Sequence, residues 1–428
     1  MWISYAERPL CPDELCHALA IELGSTDFNA DNIPSIATLM GCCQGLIIVD
    51  REASRVRLAH YTLKEYFSAH TDILSKPHSA IAEICLTYLN SQQVKATPAD
   101  RHLNLPHTCF LKYCSLYWGV HARREPSDRS RSLALHLFQE YDGHISTPLL
   151  LNADWLRRVE HYDSLPRRGG YRDGWGQGFE YPRSWSRFRG LHCASYLGIV
   201  EIVVALIGIR CGSPNGKDFW ERTPLSWATQ KGQEEVVKIL LKWRASPDSS
   251  DSGGRTPLSY AAWEGHEGMV KILLGQEEVE PNKPDSIGRT PLPYAVERGH
   301  EGVVKILLER EEVNSNKADN RGRTPLSFAA ACGEGGVVQL LLEREGVNPD
   351  PPDSLGETPL WHASWNGHEG VVKMLLARLE FNLDRLDCDD QTPLSRTVLF
   401  FLGDARHAQG VQTYALNQCL RREESGNL

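Results

Sequence analysis

No stretch of this 428-residue sequence is apolar for long enough to cross a bilayer. The longest late cluster, Val398–Leu402, falls far short of the roughly 20 residues that a helical span needs. The N-terminus lacks the basic-then-apolar order of a secretory signal. Positive charge is not in excess either: 46 Lys and Arg stand against 55 Asp and Glu, a balance that argues against a nucleic-acid coat or a strongly basic membrane binder. The 12 cysteines contain no C-x-x-C pair, so they read as reduced thiols of a cytoplasmic protein, with the nucleus as the alternative compartment.

Catalytic signatures are missing as well. The string nearest to a phosphate-binding loop, Gly212–Asp218, has its glycines one residue too close, and Asp218 follows Lys217 where a magnesium-binding Ser or Thr belongs. His266-Glu267, His300-Glu301 and His368-Glu369 begin like a zinc-protease motif. The second histidine one turn on is replaced by Val270, Val304 and Val372, so two imidazoles never share a helical face. There is no G-x-S-x-G elbow. Cys109 and Cys114 are spaced too widely for the usual metal pair. The chain is therefore expected to be no enzyme and to carry neither metal nor cofactor.

What is present is repetition. RTPLSWA, RTPLSYA, RTPLPYA, RTPLSFA, ETPLWHA and QTPLSRT place threonines at Thr223, Thr256, Thr290, Thr324, Thr358 and Thr392, a period of 33 or 34 residues. A weaker copy, GLHCASYLG, starts at Gly190. Thr can cap a helix and Pro suits its first position. Leu258, Ala261 and Ala262 then fall on one helical face. A glycine (Gly232, Gly265, Gly299, Gly333, Gly367) ends the short helix in the left-handed geometry it alone adopts cheaply. A second helix of the VVKILL type follows, and Asn, Asp and Pro carry the chain to the next hairpin. One such unit cannot bury its apolar faces alone, whereas stacked neighbours bury them for each other.

This phrase resembles the ankyrin repeat. The family's histidine after TPL is replaced by Ser226, Ser259, Pro293, Ser327, Trp361 and Ser395, and only the first, degenerate unit keeps one, His192. The fold class implied is mainly α: an ankyrin-repeat solenoid preceded by a small winged-helix (α+β) domain and a helical connector.

The winged-helix expectation comes from residues 1–95. A helix is expected over Glu14–Glu22 and another over Asn32–Cys43. Gly45–Asp50 and Arg55–His60 read as two strands, and Tyr61–His70 returns to helix. The words MWISYAERPLCPDELCHALAIELGS, NIPSIATLMGCCQGLIIVD and VRLAHYTLKEYF resemble the winged-helix segment that follows the NACHT ATPase in fungal NOD-like proteins of the STAND class. In that family a histidine after the second wing strand contacts nucleotide phosphate. The resemblance implies that role for His60, beside the plainer reading that His60 packs between strand and helix. It also implies that the chain starts partway through such a receptor, with the ATPase separately encoded or missing through a truncated gene record.

Residues 96–156 read as a helical connector whose Phe110, Tyr113, Tyr117 and Trp118 fill a small core. Residues 157–189 mix glycines, aromatics and eight Arg against four acids, and 190–428 form the repeats. The 157–189 stretch reads as a linker whose rings dock on the first repeat, or as a single-strand binder by charge and stacking.

In an ankyrin stack the hairpin tips and the ends of the first helices line a concave face. Trp220, Arg222, Arg255, Trp263, Arg289, Arg298, Arg323 and Trp365 fall there and are of the types most often found as binding anchors. Phe219, Gln230, Lys231, Glu264, Ile287, Glu297, Arg321, Leu355 and Asn366 accompany them. Arg222, Arg255, Arg289 and Arg323 form a ladder that an acidic partner surface could match, or that pairs inward with aspartates such as Asp285 and Asp319. The leading expectation is a non-catalytic protein–protein interaction module, the recognition part of a NOD-like receptor-type protein whose partner is another protein, without membrane or nucleic acid. The alternative is a winged-helix nucleic-acid-binding regulator with an ankyrin arm. Residues 1–70 count against it, with five Lys or Arg and nine Asp or Glu.

Overall fold

The computed structural model describes residues 1–50, 52, 54–70, 75–97, 109–151 and 187–377. The described residues up to Arg244 belong to one compact unit and those from Ala245 to a second. The expected linker is described only from Arg187, and the expected last repeat from Thr392 lies outside the described residues.

In the first unit, α1 (Trp2–Tyr5), α2 (Pro12–Leu19) and α3 (Ile36–Cys42) lead to an antiparallel wing of β1 (Ile47–Asp50) and β2 (Arg55–Leu58), then to α4 (Tyr61–Ala69). The register pairs Ile47 with Leu58 and Asp50 with Arg55, and only Ile47 and Val56 of these strands are buried. The helices are shorter than the periodicity suggested. α2 starts at Pro12 because the Cys11 sulfur and the Glu14 carboxylate satisfy each other's backbone amides, a capping box.

Next come α5 (Pro77–Asn90), α6 (Gln92–Lys95), α7 (Cys109–Arg124) and α8 (Asp128–Gln139). α5 packs on α7 and α8, and α2 packs on α7, so residue 95 marks no seam between packed bodies. Trp2 lies edge-on to Phe110 at 5.4 Å and Tyr113 at 5.8 Å, and Tyr88 joins Phe110 at 5.4 Å. Phe110, Tyr113 and Trp118 are buried as expected of a core, while Tyr117 is half-buried. α8 also packs on α9 (Gly190–Leu197) and α10 (Val200–Gly208), the first helix pair of the repeats. Gly190 is required there, since a Cβ would lie 2.4 Å from Phe138 Cβ. Phe188 is buried against His192 and Trp227.

α11 (Pro224–Gln230) and α12 (Glu234–Lys242) complete the first unit. The second unit repeats the pair as α13 (Pro257–Glu264) with α14 (Glu267–Leu274), α15 (Pro291–Glu297) with α16 (Glu301–Leu308), α17 (Pro325–Cys332) with α18 (Gly335–Glu343), and α19 (Pro359–Trp365) with α20 (Glu369–Leu376). Within it, first helices pack on first helices and second on second, burying Leu, Ala and Val at nearly the same places in each repeat. These are the ankyrin-type helix pairs that the period implied. Gly265 ends α13 at φ 76°, and the His300 ring of the next repeat covers it so closely that a Cβ would meet it at 2.7 Å. That ring's Nε2 donates to the Trp263 carbonyl at 3.0 Å.

The helix starts explain how the family histidine is dispensed with. The Thr223, Thr256 and Thr324 hydroxyls accept the amides of Ser226, Ser259 and Ser327 at 3.2–3.4 Å, and the serine hydroxyls sit 3.1–3.2 Å from the threonine hydroxyls. Pro293 has no amide hydrogen, and Thr290 accordingly makes no cap hydrogen bond.

Two outcomes are expected. Thr256→Ala costs about 1 kcal/mol of stability and Thr290→Ala clearly less, a difference that denaturant unfolding of the two variants measures. His144 is buried, with Nε2 donating to the Leu89 carbonyl at 3.1 Å and Nδ1 accepting from the Ser146 amide at 3.2 Å, and desolvation pushes its pKa down to about 4 from 6.5. The unfolded chain takes that proton first, so this contribution is intact above about pH 6.5 and drains away as the pH falls toward about 4. The unfolding midpoint is expected to decline across that window, and less steeply in His144→Gln.

Candidate protein-binding face

Each repeat hairpin is folded around one aspartate. Asp218, Asp251, Asp285, Asp319 and Asp353 each accept, through Oδ1, the amides two and four residues on, at 2.8–3.0 Å. The aspartate amide donates to the carbonyl four residues on, and its own carbonyl accepts from the residue three on. That residue has positive φ: Gly254, Gly288, Gly322 and Gly356 in the second unit, but Glu221 at φ 59° in the first. Within the second unit the tips are linked, Ser286 N–H to the Gly253 carbonyl, Asn320 N–H to Ile287 and Ser354 N–H to Arg321, at 2.8–2.9 Å.

The second carboxylate oxygen decides where the arginines go. Trp227 Nε1 donates to Asp218 Oδ2 at 2.8 Å, Tyr260 Oη to Asp251 at 2.5 Å, and Tyr294 Oη to Asp285. Phe328 has no donor to offer, and there Arg323 supplies two, Nε at 3.0 Å and Nη2 at 2.7 Å to Asp319. Arg255 joins Tyr260 on Asp251, with Nε at 3.1 Å. Arg289, its aspartate already engaged by Tyr294, turns to Glu297 at 2.9 Å. Arg222 lies over the rings of Trp220 and Trp227 at 4.9 and 4.6 Å, and Arg289 and Arg323 both lie over Phe328, at 4.5 and 4.6 Å.

Of the two readings of the arginine ladder, the inward one holds, with Arg323 paired to Asp319. Arg222, Arg255, Arg289 and Arg323 are buried, Arg289 to 1 % exposure, because carboxylates and ring faces inside the repeats neutralise and cover them. Trp263 is also buried, at 5 %, edge-on to Tyr294 and capped by the Arg298 guanidinium at 4.8 Å. Gln230 is buried too. Trp220, Phe219, Lys231, Ile287, Glu297, Arg298, Trp365 and Asn366 are half-buried, and Trp365 stacks parallel on Trp361 at 5.3 Å. Arg321 and Leu355 are exposed, Leu355 at 52 %. The tips and the Arg298 and Trp365 positions therefore form the reachable set in the second unit, and Phe219 and Trp220 in the first. His60 is exposed rather than packed, and its Nδ1 caps α4 through the Thr62 amide at 3.3 Å and lies 2.8 Å from the Thr62 hydroxyl.

The last described repeat departs from the pattern: Glu357 stands where the others have arginine, and His362 where they have an aromatic ring. The buried imidazole takes the ring's place beside the aspartate, with Nε2 3.4 Å from Asp353 and Nδ1 3.9 Å from Glu357. Burial pushes the Asp353 carboxyl up, but hydrogen bonds from His362 and the Leu355 and Glu357 amides outweigh it and hold the pKa below its ordinary value. The exchange is visible in the sequence as a break in the D-x3-R-x4-aromatic spacing, whereas its consequence depends on burial.

Comparison with known proteins accords with this geometry. The ankyrin-repeat family profile matches three times, over residues 191–285, 268–353 and 331–400. Residues 1–76 match the family described as GPI inositol-deacylase, winged helix domain. The chain thus carries ankyrin repeats behind an N-terminal winged-helix domain. A solved structure of the ankyrin repeat domain of Bcl-3, described there as a unique member of the IkappaB protein family, is similar at 27 % identity, covering 48 % of this chain and 92 % of its own, with a TM-score of 0.43. No curated protein matches the chain.

Arg289→Met is expected to leave Glu297 without its cation in a buried setting and to cost about 3 kcal/mol, read as a lowered denaturant midpoint. Arg321→Met, on an exposed tip, is expected to stay within about 0.5 kcal/mol of the parent.

Proposed function

We propose that this chain is a non-catalytic protein-binding module, acting without turnover in the cytoplasm as the recognition part of a NOD-like receptor-type protein. The ankyrin repeats make it a protein-interaction module. The observation that carries the surface assignment is the split within each hairpin. The aspartate, the arginine where present, and the ring or imidazole are consumed internally, while the two tip residues after the aspartate differ from repeat to repeat and in the second unit are exposed or half-buried: Ser252-Gly253, Ser286-Ile287, Asn320-Arg321 and Ser354-Leu355. Phe219-Trp220 of the first unit is half-buried, with Trp220 under Arg222. Residues with no work to do in the core are free to encode a partner.

The partner is a folded protein that accepts apolar and cationic tip side chains together. Trp263 and Arg289 do not test this reading, since removing either disturbs the packing. Arg321→Glu with Leu355→Asp is the informative change. Capture of partner proteins by the intact chain is expected to fall at least about tenfold, the scale of losing one or two anchors, with the unfolding midpoint unchanged. Undiminished capture would refute the assignment.

A further inference from the structure

We propose that Glu7, His78 and His121 form a binding site for a divalent transition-metal ion of the zinc class. The three come from separate elements of the first unit: Glu7 just past α1, His78 in the first turn of α5, and His121 in the last turn of α7. One ligand atom of each lies within 4.8 Å of the others.

The central observation is the approach of the two rings. His78 Nδ1 and His121 Nδ1 are 2.7 Å apart. Two imidazole lone pairs facing each other at that distance repel, so either one ring carries an N–H there and donates to the other, or a metal ion lies between them. The other ring nitrogen of His121 is buttressed: its Nε2 is 2.9 Å from Tyr113 Oη, which also accepts the Glu7 amide at 3.1 Å. This is the second-layer arrangement that orients metal-binding histidines and selects the nitrogen they present. His121 is fully buried and Tyr113 with it, so the base of the site is rigid, whereas His78 and Glu7 are half-buried and leave a side open for entry.

Without metal, one of the two rings carries the proton of the Nδ1–Nδ1 hydrogen bond, and His121 Nε2 hydrogen-bonds with Tyr113 Oη. A metal ion there would take both Nδ1 atoms and a Glu7 carboxylate oxygen, with each ring's proton on Nε2 and that of His121 donated to Tyr113. Zinc–nitrogen bonds near 2.0 Å in a tetrahedral site set the nitrogens about 3.3 Å apart, so the half-exposed His78 ring backs away slightly. Two nitrogens and one oxygen suit Zn²⁺ and Co²⁺ rather than Mg²⁺ or Ca²⁺. Arg124, ion-paired with Glu7, is the opposing charge. Glu125, whose carboxylate accepts the Ser79 amide at 3.0 Å, offsets it.

The Asp353, Glu357 and His362 cluster makes the contrast: there the imidazole turns different nitrogens to its two carboxylates, and no second histidine is present.

The test is titration of the full chain, stripped with chelator, with Co²⁺ followed by visible absorption, and then displacement by Zn²⁺. One Co²⁺ per chain with d–d bands and no thiolate charge-transfer band is expected, the latter separating this site from the 12 cysteines. Affinity is expected to fall at least about tenfold in His78→Ala and in Glu7→Gln, and to rise in Arg124→Gln, which frees the carboxylate. Absence of such a band, or its survival in His78→Ala with parental far-ultraviolet dichroism, overturns the proposal. Should His78→Ala disturb the fold, Glu7→Gln decides alone.

Discussion

The repeats depend on one carboxylate per hairpin. Its first oxygen closes the turn by taking two backbone amides, and its second fixes a side chain from the helix or the loop behind it. A buried carboxylate with every lone pair engaged is stable. One left short is costly, so each repeat must supply donors. The five solutions differ: an indole at Trp227, phenols at Tyr260 and Tyr294, a forked guanidinium at Arg323 where Phe328 cannot donate, and an imidazole at His362. The variation is small chemistry around a fixed electrostatic requirement.

That requirement explains why the arginine of the repeated phrase is structural. A guanidinium on a surface solvates easily and gains little from an ion pair, whereas Arg255 and Arg323 close the hairpin carboxylate and cover an aromatic face at once, and Arg289 does the same with Glu297 and Phe328. Phe328, held between Arg289 and Arg323, shows the second function. The tip residues lie after the aspartate in sequence: the amide of the second closes the turn on the aspartate, and both residues are exposed or half-buried.

The N-terminal part is organised differently, around rings and not a repeated carboxylate. Trp2, Tyr88, Phe110 and Tyr113 make a continuous aromatic contact that joins α1, α5 and α7. The same packing brings His78, His121 and Glu7 together from positions far apart in the chain. Tyr113 serves both, with its ring in the core and its hydroxyl turned to His121.

The sequence by itself determined the repeat, its caps and the order of elements, because period, threonine-proline starts and glycine stops act over a few residues and need no partner from afar. The wing and its flanking helices were legible for the same reason, although α2 ends early and α3 starts late. Which arginines and tryptophans face water was decided only by tertiary structure. Burial of Arg289 requires Glu297 and Phe328 to meet it, and Trp263 is covered only when Tyr294 and Arg298 arrive from the neighbouring repeat. The histidine pair belongs to the same class, since no local spacing connects residues 78 and 121, and only the packing of α5 on α7 sets their nitrogens face to face.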